Sequence, residues 1–338
     1  MYFQRISFFL LALILFSCNN AEQKVSKIHI FQGETQGTTY TIQVVAEKCD
    51  LKKKEFDSIL SDFDLYLSTY KRDSYISKFN ESELNYSFED KNKYFFRCLT
   101  ESQKIHHLSD GAFDPTVFPL IEGWGFFKEN HVPLSKTQAD SILQFVDFTK
   151  GKLFDFHFND NLLSLTKKDP RLKLDFNAIA QGLSVDILFE YLAKKGFENI
   201  FVEIGGEIRV SGKNKEGNNW RIGIDKPEES EQRSIQEIIE LSDCAIATSG
   251  NYRKFYTFQG KKYAHTIDPK TGMQVKHQLL SATVIAPRAA MADGLATAFM
   301  VMGKHRTLQF LKKHSSLKLK VLLIESDKNN YLLSKHGF

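Results

Sequence analysis

The chain has 338 residues, of which 42% are hydrophobic and 25% charged, and its formal net charge is +4. This is an ordinary globular composition able to bury a large core. The charge is small for the length and no dense Lys/Arg block occurs, which argues against nucleic acid as a partner; Lys52-Lys53-Lys54 reads as a solvated helix face.

The N-terminal residues read as a leader. Arg5 supplies a positive flank, and residues 6–16 are apolar except Ser7, too short a run for a comfortable membrane span. The run ends in Leu15-Phe16-Ser17-Cys18, which resembles a bacterial lipobox, with a small residue at the cut and a cysteine to acylate. The expectation is a lipoprotein signal peptide over residues 1–17, cleaved before Cys18, then a lipidated tether over 18–27 and one folded domain over 28–338. Cys49, Cys98 and Cys244 fit no CxxC or zinc spacing and are expected as buried free thiols.

Residues 28–45 read as two strands around Gln36-Gly37, where Gly37 serves either a hairpin turn or a close backbone approach to a ligand. Phe56, Ile59, Leu60, Phe63 and Leu67 recur at helical spacing, so 51–67 is a helix. Asp90 is placed to cap a second helix that turns Tyr94, Phe95, Cys98, Leu99, Ser102 and Ile105 inward and ends at His106-His107. Residues 109–116 have turn chemistry. Ser135 and Gln138 form a capping box for a helix reaching Val146. A hairpin turns at Asn159-Asp160-Asn161, and 172–176 reads as a strand ending near Asp175.

A helix follows over about 179–195, with Gly196 at its C-cap. Its start is a place for phosphate, because the first N–H groups of a helix are unpaired. Strands are expected at 200–204, 207–210, 220–224 and 238–242, and a charged loop at 226–232. Residues 247–252 read as a small polar loop, followed by strands at 254–258 and 263–267. After another strand comes a helix with Asp293 and Thr297 on one face, then a short helix at 307–313 and a closing hairpin over 317–334. That face is either half a site for a hard cation or an ordinary N-terminal carboxylate. With no repeat and no cutting linker, the fold class is α+β: a single domain of mixed, largely antiparallel sheet with flanking helices.

There is no HExxH, no GxSxG and no P-loop. What the chain does hold is an ordered series: QGTTY (36–40), STYKRDSYISKFN (68–80), DGAFDPT (110–116), LDFNAIAQG (174–182), VEIGGE (202–207), ATSGNYRKFY (247–256), YAHTIDPKTG (263–272) and ATVIAPRAAMADGLATAFMVMG (282–303). In this order the motifs resemble the ApbE family, the FAD:protein FMN transferases, over nearly all of the chain after the tether.

The resemblance implies FAD as donor, Mg²⁺ as required metal, and transfer of FMN to a Thr or Ser hydroxyl of an acceptor flavoprotein in a respiratory or electron-transfer complex. AMP would be the leaving product. It implies a metal site of Asp293, Thr297 and the Ala178 carbonyl, with His265 as general base for the attacking hydroxyl and Asp293 as the other catalytic group. Gln36, Tyr70, Ala112, Phe113, Asp114, Asp175, Gln181, Thr266 and Ile267 would hold FAD. The expected location is a lipoprotein anchored through Cys18 and facing the periplasm of a Gram-negative-type bacterium. Two other readings stay open, an FAD pyrophosphatase using water and a flavin-binding lipoprotein without chemistry. The chain departs from the family in having Asn177 for the usual Gly, Gln181 for a frequent Lys, and Met273-Gln274 in a turn that usually ends in proline. A neutral amide at 181 donates hydrogen bonds but brings no charge to the phosphates.

Overall fold

A computed structural model describes residues 27–126, 132–227, 234–251, 255–327 and 330–338. The leader and Cys18 lie outside these residues.

The chain begins with the hairpin β1 (Lys27–Thr35) and β2 (Thr38–Ala46), then α1 (Lys53–Leu67) and α2 (Tyr75–Glu81). β3 (Asn85–Glu89) and α3 (Tyr94–Leu108) follow, and a short 3-10 turn leads into α4 (Phe118–Gly123). Next come α5 (Lys136–Leu143), the hairpin β4 (Phe154–Asn159) and β5 (Leu162–Lys167), and α6 (Ala180–Lys194). Six strands then run in sequence: β6 (Ile200–Ile204), β7 (Glu207–Ser211), β8 (Trp220–Asp225), β9 (Ile235–Leu241), β10 (Cys244–Gly250) and β11 (Phe255–Phe258). The chain closes with β12 (Lys261–Ala264), β13 (Leu279–Ala286), α7 (Ala289–Lys313), β14 (Lys320–Asp327) and β15 (Asn330–His336).

The centre is an eight-stranded sheet in the order β1-β2-β6-β7-β10-β13-β14-β15, and every pairing between these strands is antiparallel. Alternate side chains serve two cores, as the two-residue period of a strand requires. Val202, Ile204, Ala245 and Ala247 point towards α6 and α7, while Ile246 and Ile285 point to the opposite face, which β8 and β9 cover with Trp220, Ile222 and Ile239. Thus the α+β class and the single domain of helices around a largely antiparallel sheet are observed.

Register sorts the loops to two ends of the sheet. At one end lie the β1–β2 turn (Thr35 opposite Thr38), the β6–β7 turn (Ile204 opposite Glu207), and Gly250 opposite Ser281. At the other lie Lys27 opposite Ala46, Ile200 opposite Ser211, and Ile285 opposite Lys320.

Several expectations are corrected. Residues 172–176 are not a strand. Their backbone is extended but is held by a side chain: Leu174 N–H donates to Asn80 Oδ1 (2.7 Å) and Asn80 Nδ2 donates to Leu174 O (2.9 Å). Residues 247–250, read as loop, continue β10, because their small side chains let α7 lie close to the sheet; of the rest of that stretch, Asn251 follows the strand and Tyr252 is outside the described residues. Asp90 does not stand at the N-cap of α3, which is Lys93, yet its Oδ2 accepts from Phe96 N–H at 2.8 Å and so still serves the helix start. The helix carrying Asp293 and the one expected at 307–313 run on as α7 with one non-helical residue, Gly303 (φ 68°), against which the His277 ring sits while its Nε2–H donates to Met300 O (2.7 Å). That left-handed φ favours glycine. Of the thiols, Cys98 is buried, while Cys49 and Cys244 are only half-buried, and all are free.

Candidate active site

The site grows from the way α6 and α7 meet. They run antiparallel, with Gly182 beside Asp293 and Asp186 beside Ala289. Contact is backbone to backbone: a Cβ on Gly182 would come within 2.5 Å of Ala289 O, so only glycine fits. Each helix end is capped by a carboxylate of the other. Asp186 accepts from Ala289 N–H and Ala290 N–H, both at 3.0 Å, and from Arg209 Nη1 at 2.7 Å. In return, Asp293 Oδ2 accepts from Gly182 N–H at 3.1 Å.

The second cap leaves two valences open. In a regular helix Gly182 N–H would bond to Ala178 O, four residues back. Here it goes to Asp293, and no other backbone N–H of the described residues takes its place on Ala178 O. Asp293 itself is 6% exposed, and no ion pair reaches it among the described residues. Burial pushes its carboxyl up to about 7, with the Gly182 N–H pulling the other way. One turn along the same face, Thr297 Oγ1 shares a hydrogen bond with Ser249 Oγ at the end of β10 (3.0 Å).

A buried carboxylate without a cation, a hydroxyl and an unused carbonyl form an all-oxygen donor set, which fits Mg²⁺. No group of three or more His, Cys, Asp or Glu suited to a metal occurs among the described residues. A site here therefore takes one carboxylate and leaves the remaining positions to water and phosphate, as Mg²⁺ sites do.

The same sheet end gathers the expected donor-binding residues. Gln36 lies in the β1–β2 turn, and Ser184 Oγ on α6 donates to its Oε1 at 3.4 Å. Gln181, in the first turn of α6, reaches the β6–β7 turn, where a Cβ on Gly205 would meet its Nε2 at 2.9 Å. Asp175 N–H donates to Pro115 O (2.8 Å), which fastens the 172–176 segment to the DGAFDPT loop, and Asp175 Oδ1 accepts from Asn177 N–H (2.8 Å). Asn177 Nδ2 donates to Thr69 Oγ1 at 3.3 Å, next to Tyr70, a residue that is 73% exposed. Thr266 Oγ1 donates to Asn251 Oδ1, just past β10. His265 is half-buried beside the edge of Phe126, ring centroids 6.5 Å apart.

Other expected residues turn their side chains inward. Phe113 and Ala112 are each 2% exposed, and Asp114 spends its carboxylate on Thr116 N–H (2.7 Å), Thr116 Oγ1 (2.5 Å) and Phe148 N–H (3.1 Å). Ile267 faces the apolar cluster of Leu120, Trp124 and Val146. What these positions offer a ligand is backbone. One cavity of about 600 Å³ lies between β1 and α1 against Asp57, Asp64 and Lys71, and another of about 770 Å³ lies at the end of α3 against His106, Asp114 and Lys270.

Sequence reasoning missed Asp186, Ser184, Ser249 and Asn251. Asp186 had one signal, a lone carboxylate in the apolar run Leu183 to Leu188. Ser249 and Asn251 were hidden in a stretch read as loop.

Comparison with known proteins agrees with this architecture. The chain matches the ApbE family over residues 36–322. It is 34% identical over 328 residues to the FAD:protein FMN transferase of Haemophilus influenzae, covering 95% of this chain and 92% of that one. To the FAD:protein FMN transferase of Vibrio cholerae it is 38% identical over 298 residues, covering 87% and 86%. The solved structure of the flavin transferase ApbE from Vibrio cholerae superposes with a TM-score of 0.77 at 33% identity, over 92% of this chain and 97% of that one. With the paired helices, the ordered motifs and the relatives all in agreement, the chain belongs to the ApbE family.

Proposed function

We propose that this protein transfers FMN from FAD to a Thr or Ser hydroxyl of an acceptor flavoprotein, with Mg²⁺ required and AMP released. The observation that carries the reading is the buried Asp293 carboxylate, which takes the Gly182 N–H and has no ion-pair partner among the described residues, together with the Ala178 carbonyl at the start of α6, which accepts no backbone N–H from them. The names of the relatives support the flavin-transferase class.

Asp293, Thr297 and Ala178 O would hold Mg²⁺, which when bound supplies positive charge at the pyrophosphate oxygens. The first turn of α6 adds N–H groups and a dipole that favour the same anion. Gln181 contributes amide hydrogen bonds there. Tyr70 offers a stacking face, and Gln36, Asp175 and Thr266 orient the donor with the backbone of 112–114 and 267. His265 takes the proton from the acceptor hydroxyl as its oxygen bonds to the FMN phosphorus. The bond from that phosphorus to the bridging oxygen breaks, and AMP leaves with the electron pair. Imidazole suits this role because its ordinary titration lies near neutrality. The protein is held to the membrane through lipid on Cys18 and acts in the periplasm.

One incubation tests the reading. The protein, FAD, Mg²⁺ and a candidate acceptor should yield fluorescent, mass-shifted acceptor and an equal amount of AMP. AMP made without acceptor would assign a pyrophosphatase, and bound, unchanged FAD a carrier. His265→Ala should slow transfer while FAD still binds; loss of FAD binding would make His265 a binding residue.

A further inference from the structure

The lipid anchor and the sheet register together decide which face of the domain meets the bilayer. Lys27 follows Cys18 by nine positions, a covalent reach of at most about 30 Å. β1 is itself 9 residues long and spans about 30 Å, with Gln36 and the site at its far end. An anchor at Cys18 therefore holds the opposite end of the sheet close to the membrane.

That opposite end is rimmed with lysine. Lys27 and Lys48 stand at the open end of the first hairpin, and Lys320 on β14 opposite Ile285. Lys52 and Lys54 open α1 and Lys194 closes α6, two helix ends joined by the ion pair of Glu55 with Lys195 (2.9 Å). All six are exposed, and none forms an ion pair with a described residue. Glu47, Asp50, Glu198 and Asp243 stand among them, so the rim is basic without being uniformly so. Phe338 adds an apolar point, 57% exposed, with Lys320 Nζ at 5.4 Å and Lys335 Nζ at 5.9 Å from its ring centre. An exposed ring flanked by ammonium groups suits a headgroup layer. No helix among the described residues is long and apolar enough to cross a membrane, so contact here is with the surface.

We propose that this lysine-rimmed end docks on the anionic headgroups of the membrane that holds Cys18, and that the reacting end is presented away from that membrane. The proposal rests on the lipid-anchor reading and adds the orientation. Lysines near an anionic leaflet are attracted over about one Debye length, roughly 8 Å.

The test uses the full mature chain with its lipid, in vesicles of phosphatidylcholine alone or mixed with phosphatidylglycerol. Amine acetylation is read peptide by peptide by mass. On anionic vesicles Lys48, Lys52, Lys54 and Lys194 should react about 3-fold or more slowly than on neutral ones, and high salt should abolish the difference. Lys71 and Lys276, at the reacting end, should not change. Uniform reactivity, or protection of Lys71 and Lys276 instead, overturns the orientation even with Cys18 acylated. An unmodified Cys18 peptide sinks the anchor, and the orientation with it. Lys48→Gln/Lys52→Gln/Lys54→Gln/Lys194→Gln together should keep turnover on a soluble acceptor but lose the salt-sensitive protection of Lys27 and Lys320. Retained protection there would instead point to an acidic protein surface or to packing unrelated to charge.

Discussion

Asp186 and Asp293 sit on neighbouring antiparallel helices, both nearly sealed from solvent, and each caps the other's helix. Their surroundings differ in completeness. Asp186 has two backbone N–H groups and Arg209, so its charge is matched on the spot. Asp293 accepts from one N–H and has no ion-pair partner among the described residues. Burial raises the carboxyl of both, and at Asp186 the guanidinium and the backbone N–H groups oppose that rise. A matched buried charge serves the fold, whereas an unmatched one is a standing cost that a bound cation removes. On the proposed reading this difference separates a structural carboxylate, Asp186, from a cation-binding one, Asp293, although by burial and capping they look alike.

The largest expected effect falls on the matched member. Asp186→Ala strands Arg209 and two N–H groups and should cost about 3–5 kcal/mol in a denaturant titration. A loss much below that would mean that Glu190, 4.0 Å from Arg209, takes over the charge. Next is the unmatched member. Asp293→Ala should lower the transfer rate by roughly 10²-fold or more with the fold retained, and turnover near wild type would remove Asp293 from the cation site. Asn at the two positions sharpens the contrast: Asp186→Asn destabilises, while Asp293→Asn, in metal-free buffer, should be at least as stable as wild type.

Lys167 extends the comparison to a buried cation. It is 1% exposed and donates to Phe79 O, Asn80 O, Pro170 O and Leu172 O at 3.1–3.3 Å. Burial pulls its ammonium down to about 8 from 10.5, and Lys173 adds to the fall. Between those values the folded state binds fewer protons than the unfolded one, so stability rises with pH across that window. The advantage of wild type over Lys167→Met should grow by roughly 2–3 kcal/mol from pH 8 to 10.5. A constant difference would show that the four carbonyls replace water fully. The smallest effect concerns the donor. Gln181→Lys puts a charge at the start of α6 and should tighten FAD binding by about 1 kcal/mol, near fivefold, by fluorescence titration. Unchanged or weaker binding would mean that the amide already makes the contact this position allows.

Much of the fold was legible because it is encoded by local periodicity. The spacing of Phe56, Leu60, Phe63 and Leu67 places α1, and the apolar face from Tyr94 to Ile105 places α3. The misread segments are those whose partners are not local. Residues 172–176 have strand-like composition, but Asn80 and Pro115 supply their hydrogen bonds in place of a neighbouring strand. β10 carries Ala, Thr, Ser and Gly, which read as loop, because it must be thin where α7 crosses it. Asp293 and Thr297 were visible as one helix face, yet that face was equally consistent with an ordinary helix start.

By itself the sequence determined the local elements, the order of the motifs and, through that order, the family. Only the tertiary structure decided which polar groups are satisfied and which remain open. The reason is physical. Whether Ala178 keeps its carbonyl free depends on where Gly182 N–H goes, and that is settled by a carboxylate 111 residues further along the chain. Hydrogen-bond valence is a property of the packed neighbourhood, and no pattern within a single segment contains it.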